Sequence, residues 1–95
     1  MTIQELYKII EERRASDSDG SYTSSLFRDG LDRIAQKVGE EAVEVVIAAK
    51  NDDMDDLIGE VADLTYHMLV LLVDKGVTVE SIGQKLQQRH ALKEK

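Results

Sequence analysis

The chain reads as an all-α protein, a bundle of four to five helices, and three observations lead there. It contains no proline and no cysteine, and only four of its 95 residues are Phe, Trp or Tyr, which together favour a helical bundle and exclude a disulfide scaffold or a Cys-based metal site. Its apolar residues recur at helical spacing. Val38, Ala42, Val45 and Ala49 share one arc at about 100° per residue, and Met54, Leu57, Val61, Thr65, Met68 and Leu72 share another. Punctuation falls between the periodic runs, at Ser16–Ser21, Asp29-Gly30, Asn51-Asp52-Asp53 and Gly76.

The elements follow in order. Thr2 with Glu5 three residues on is a capping box, and Ile3, Leu6, Tyr7 and Ile10 form one apolar face, so a first helix is expected over about Thr2 to Arg14. Ser16 to Ser21 has the composition of a loop, its short polar side chains competing for backbone hydrogen bonds. Tyr22-Thr23-Ser24-Ser25 leads into a short helical turn at Leu26-Phe27, stopped by Asp29-Gly30. Two longer helices are expected over Leu31 to Lys50 and Met54 to Asp74, with Gly76 in the left-handed region after the second. Thr78 caps a last helix, which puts Val79, Ile82 and Leu86 on one face and ends near Arg89 or His90. Residues 91–95 are expected to be a frayed tail. Tyr7, Met54 and Met68 are assigned to the core.

Length and charge narrow the function classes. Ninety-five residues make one domain with one core, residues 1–95. The longest unbroken apolar run, Met68 to Val73, is too short to span a bilayer, and no signal pattern opens the chain, so a soluble cytoplasmic protein is expected. A formal net charge of -7 argues against a nucleic-acid backbone as partner, although a nucleotide bridged by a metal ion stays compatible. Val43, Val46 and Ile47 on one long helix, and Val70 and Val73 on the other, lie off the core stripes. Burial on more than one side is therefore required, and a homodimer or a dimer of dimers is expected to supply it.

The acids carry the chemistry. Lys37, Glu41 and Glu44 step by four and three along one long helix, and Asp56, Glu60, Asp63 and His67 step by four, three and four along the next. A short turn at Asn51–Asp53 makes the helices antiparallel neighbours, which sets Glu44 level with Glu60 and Glu41 level with Asp63. Two like charges about 5 Å apart repel by roughly 3 kcal/mol at an effective dielectric of about 20. Four converging carboxylates therefore call for a cation. An all-oxygen set suits Mg²⁺, with Mn²⁺ as substitute, and Mg²⁺ recruits phosphate oxygens as further ligands. Acidic stretches on helices are usually solvated faces, and the level pairing is what argues otherwise. Lys37, one turn before Glu41, is either its salt-bridge partner or a phosphate ligand, with phosphate binding slightly preferred. His67 reads as a core or supporting histidine rather than a ligand.

These blocks resemble a known family. Glu41-x-x-Glu44 with Glu60-x-x-Asp63 resembles the signature of the all-α, MazG-like nucleotide pyrophosphohydrolases. Ser21-Tyr22-Thr23, Lys37-Val38-Gly39-Glu40-Glu41-Ala42-x-Glu44, Ala48-Ala49-Lys50, Glu60-x-Ala62-Asp63-Leu64-x-Tyr66-His67 and Arg89-His90 together resemble the phosphoribosyl-ATP pyrophosphohydrolase family, from about Leu6 to His90. The resemblance implies Mg²⁺-dependent hydrolysis of phosphoribosyl-ATP to phosphoribosyl-AMP and pyrophosphate, the second step of histidine biosynthesis. It makes Glu41, Glu44, Glu60 and Asp63 the metal ligands. It leaves Glu40, Glu41 and Glu44 as the candidates for activating water, and Lys37, Lys50 and Arg89 as candidates for the phosphates, with Arg13 and Arg28 behind them. Tyr22 and Tyr66 are candidates for stacking on the purine, a role weighed against plain packing.

The family pattern continues past Arg-His into a Ser-Gly-containing segment, where this chain reads His90-Ala91-Leu92-Lys93-Glu94-Lys95. The cyclohydrolase domain that some relatives carry is not expected here. Three rivals stand beside this reading. A house-cleaning nucleoside triphosphate pyrophosphohydrolase would share the four acids, and a non-catalytic acidic helical module would share only their charge. A di-iron bundle needs Glu-x-x-His on two helices, which this sequence lacks.

Overall fold

The computed structural model describes residues 1–16 and 20–93. The described residues form five helices: α1 (Ile3–Ser16), α2 (Tyr22–Asp29), α3 (Leu31–Ala49), α4 (Met54–Lys75) and α5 (Val79–Lys93). The predicted all-α class is what the chain adopts. The loop expected at Ser16–Ser21 falls partly on residues 17–19, outside the described residues, while Ser16 itself closes α1.

Local chemistry sets most of the boundaries. Thr2 and Glu5 make the reciprocal capping box, with Glu5 N–H donating to Thr2 Oγ1 at 3.0 Å and Thr2 N–H to Glu5 Oε1 at 3.3 Å. The short turn expected at Leu26-Phe27 is a full eight-residue helix, because Ser21 accepts from the Ser24 N–H at 3.2 Å and so starts α2 earlier. Gly30 joins α2 to α3 with φ 95°, a conformation that side chains with a Cβ rarely adopt. Its N–H still closes on Leu26 O at 3.0 Å. Asp53 caps α4 by accepting from Asp56 N–H at 3.2 Å. Gly76 ends α4 in the left-handed region, with φ 70°. Thr78 starts α5 by accepting from Ser81 N–H at 3.1 Å.

The α3–α4 hairpin is the spine, with α1 against α4, α2 bridging α1 and α3, and α5 touching α1. The core lies at one end of that spine. Ile10 of α1, Leu26 of α2, Ile34 of α3 and Leu69, Val70 and Val73 of α4 are buried together. Two long-range hydrogen bonds pin α1 there: the Tyr7 hydroxyl donates to Val77 O and Arg14 Nη1 to Val73 O, both at 2.9 Å. Arg14 also stacks over the Phe27 ring, 5.4 Å from its centroid.

This placement corrects the expected stripes. Val70 and Val73, read as lying off the core, are its centre, whereas Met54, Val61 and Met68 are exposed and do not fill it. On α3 the fully buried residues are Ile34 and Ala48; Val38, Ala42 and Val45 are half-buried and Ala49 is exposed. The physical reason is that α1 and α2 cover only the second half of α4, so its first half meets α3 alone. A second correction concerns the C-terminal end, where the helix runs through Ala91 and Leu92 to Lys93 rather than stopping near Arg89 or His90. Glu94 and Lys95 lie outside the described residues. Among the described residues no helix is long and apolar enough to cross a membrane.

Candidate metal and phosphate site

The site occupies the half of the hairpin that α1 and α2 leave open. There α3 and α4 face one another as antiparallel neighbours, each with its acids on the flank of the contact. Glu41 from α3 and Glu60 and Asp63 from α4 each bring one carboxylate oxygen to a group whose members all lie within 4.8 Å of one another. Glu41 and Glu60 are half-buried and Asp63 is exposed. Glu44, expected to join them, lies outside that group, yet its charge reaches Glu60. The Glu60 carboxyl is pushed above the ordinary carboxylate range, first by partial loss of water and then by the charges of Glu44, Glu41, Asp56 and Asp63.

The donor set fits a hard divalent cation. Oxygens around Mg²⁺ at about 2.1 Å stand roughly 3.0 Å apart when adjacent and 4.2 Å when opposite, so three carboxylates within 4.8 Å need only small rotamer changes to share one ion. A raised carboxyl with four acidic neighbours is the electrostatic counterpart of that fit.

Lys37 is the cation already present. Its Nζ lies 3.6 Å from Glu41 Oε1 and 3.7 Å from Glu40 Oε2. Glu40 also accepts from Gln36 Nε2 at 2.7 Å, which holds it along the exposed side of α3, outside the three-acid group. Lys50, at the C-cap of α3, and Arg89, on α5, are exposed and make no ion pair with described residues. The structure therefore brings Lys37 to the acids and leaves Lys50 and Arg89 apart from them.

Next to the acids is a polar junction that spacing alone did not reveal. His67, one turn after Asp63, is 6% exposed. Its Nδ1 lies 2.8 Å from Asp63 O and its Nε2 lies 3.0 Å from the Tyr22 hydroxyl. It is buried and lies outside the three-acid group. The Thr23 and Tyr66 hydroxyls hydrogen-bond beside it. Burial pushes the Tyr66 hydroxyl up, against the opposing effects of that bond and of the Arg13 charge.

Fold and site together define an all-α protein with a carboxylate cluster on an antiparallel helical pair. Comparison with known sequences makes the class specific. Residues 3–90 match the family model described as Phosphoribosyl-ATP pyrophosphohydrolase, and the chain belongs to that family. It is 53% identical over 87 residues to the phosphoribosyl-ATP pyrophosphatase of Lactiplantibacillus plantarum, covering 92% of this chain and 82% of the relative. To the Clostridium botulinum protein of the same name it is 51% identical over 87 residues, covering 92% and 79%. A Histidine biosynthesis bifunctional protein HisIE from Caldanaerobacter subterraneus is 49% identical over 88 residues, which are 93% of this chain and 43% of that protein.

Proposed function

We propose that this chain hydrolyses phosphoribosyl-ATP to phosphoribosyl-AMP and pyrophosphate, the second step of histidine biosynthesis, with Mg²⁺ as the metal and Mn²⁺ as a substitute. The observation that carries the reading is the convergence of Glu41, Glu60 and Asp63 in a member of this family. When bound, Mg²⁺ supplies charge neutralisation to the phosphate oxygens, held by those three acids. Glu44, beside Glu60 but outside the group, is the acid left to take the proton from the attacking water. Water oxygen bonds to phosphorus, the bridging P–O bond between the α and β phosphates breaks, and the pair of electrons leaves with pyrophosphate. Lys37 offers its ammonium to the phosphates from one turn before Glu41. Glu40, tied to Lys37 and Gln36, orients that lysine rather than the water. The reading places the chain in the cytoplasm with its nucleotide substrate.

The active assembly in this reading is a homodimer. The chain exposes 6696 Å², against about 5,500 Å² for a folded monomer of 10.7 kDa. Its radius of gyration is 15.1 Å, against about 12 Å for a compact 95-residue domain. An excess of about 1,200 Å² is more than one partner's share of a standard interface, about 800 Å². Much of it is apolar. Met54, Ile58 and Val61 of α4 are exposed, and a groove of about 600 Å³ between α1, α4 and α5 is lined by Met68, Leu72, Ile82 and Leu86. A second copy of this chain is the occupant this reading assigns to that apolar surface.

Pyrophosphate release in the presence of Mg²⁺, measured with phosphoribosyl-ATP, ATP and dCTP, tests the activity. Turnover of phosphoribosyl-ATP well above the plain nucleotides is expected. Glu44→Gln and Asp63→Asn are each expected to lower kcat by roughly 10²- to 10⁴-fold. Comparable turnover of ATP or dCTP would overturn the substrate assignment.

A further inference from the structure

Beside the acids, the chain gathers two of its three tyrosines and one of its two histidines where the first turn of α2 meets α4. Proton positions there follow from the partners. A backbone carbonyl only accepts, so His67 Nδ1 carries the hydrogen donated to Asp63 O at 2.8 Å. In the tautomer with the hydrogen on Nδ1, Nε2 accepts and the Tyr22 hydroxyl donates to it at 3.0 Å. The Thr23 and Tyr66 hydroxyls close the same junction one residue along each helix. Tyr22 is thus fixed by its hydroxyl to a buried group anchored on the backbone of Asp63.

The rings leave one surface unused. Tyr66 lies nearly parallel to Tyr22, with centroids 6.2 Å apart and planes at 27°. His67 meets Tyr22 edge-on, at 5.9 Å and 80°, and Tyr66 at 4.9 Å and 82°. Tyr66 is half-buried and packs against the core, whereas Tyr22 stays 47% exposed. Of the two tyrosines, only Tyr22 combines a clamped position with an open ring. An aromatic surface immobilised beforehand loses little entropy when a planar ligand stacks on it. One helical turn, about 5.4 Å, separates His67 from the acid at Asp63, a distance of the order that a nucleotide spans between phosphate and base.

We propose that Tyr22 is the wall on which the substrate's purine stacks, with His67 as the positioning residue that fixes the ring; this rests on the nucleotide reading above. Calorimetric titration of the Mg²⁺-loaded chain with phosphoribosyl-AMP and, separately, with inorganic pyrophosphate tests it, since only the first carries a base. Tyr22→Leu is expected to weaken phosphoribosyl-AMP binding by roughly 5- to 100-fold and to leave pyrophosphate binding within about twofold. Tyr22→Phe and His67→Leu cut the same hydrogen bond from either side. Each is expected to lose about two- to fivefold in phosphoribosyl-AMP affinity, and the double variant no more than either alone. In steady state the Tyr22→Leu loss appears in KM, with kcat held within about threefold. Wild-type affinity for phosphoribosyl-AMP in Tyr22→Leu overturns the proposal, as does an equal loss of pyrophosphate binding, which would make Tyr22 a structural residue. A wild-type chain that turns over ATP as well as phosphoribosyl-ATP removes the substrate assignment instead. The same comparison with AMP then decides Tyr22 on its own.

Discussion

Glu60 carries the electrostatic strain of the site, and its consequence for stability has a definite sign. Its carboxyl titrates above the ordinary range in the folded chain because of lost water and four acidic neighbours, while the unfolded chain keeps the ordinary value. Between those two values the native state binds more protons than the unfolded one, so stability falls as pH rises through the window. The penalty is complete above Glu60's raised pKa and disappears below the ordinary carboxylate value. Thermal melts of the metal-free chain across that window are therefore expected to show Tm dropping as pH rises, with the slope flattened in Glu60→Gln. If Mg²⁺ binds as proposed it competes with the same proton, and its stabilising effect is then expected to grow in the direction in which the metal-free chain weakens. An identical slope in the wild-type chain and in Glu60→Gln would mean that Glu60 does not sit in this acidic surrounding in solution.

At the scale of the element, the capping of α4 controls whether the acids stand in register, since Glu60, Asp63 and His67 all follow from where that helix begins. Asp53→Ala removes the acceptor for Asp56 N–H and is expected to cost about 1 kcal/mol. That corresponds to a fall in Tm of roughly 4–8 °C for a domain of this size, and a melt would reveal it. Such local chemistry was legible in sequence wherever it was unambiguous. The Thr2–Glu5 box, the Thr78 cap and the left-handed Gly76 all stand where their residue types put them. Asn51-Asp52-Asp53 offers three capping residues in succession, and only the structure selects Asp53. The buried face of α4 was not legible, because Met54, Leu57, Ile58, Val61, Leu69, Val70 and Val73 spread over roughly 220° of the helix, and periodicity does not say which part of so wide an apolar arc is covered. Of the four acids expected to converge, Glu41, Glu60 and Asp63 do so and Glu44 does not, since i, i+3 and i+4 spacing fixes the flank an acid lies on but not where its side chain reaches. The bond from Tyr22 to His67 links residues 45 apart, and no spacing rule reaches that far.

The whole molecule has more surface than one copy needs. Sedimentation at micromolar concentration is expected to give a dimer, and Ile58→Asp, placing charge on an exposed apolar position of α4, is expected to shift it toward monomer. A wild-type monomer under those conditions would leave the apolar surface without an occupant. The last helix gives this a second reading. Every residue of α5 from Glu80 to Leu92 is exposed, and its packing within the chain is chiefly against α1. A lone segment of 15 residues is marginally helical in water, so its coiling draws on whatever covers it. Diluting the protein below its dissociation constant should then unwind the C-terminal rod ahead of the rest, and ellipticity at 222 nm becomes a function of concentration as well as of temperature.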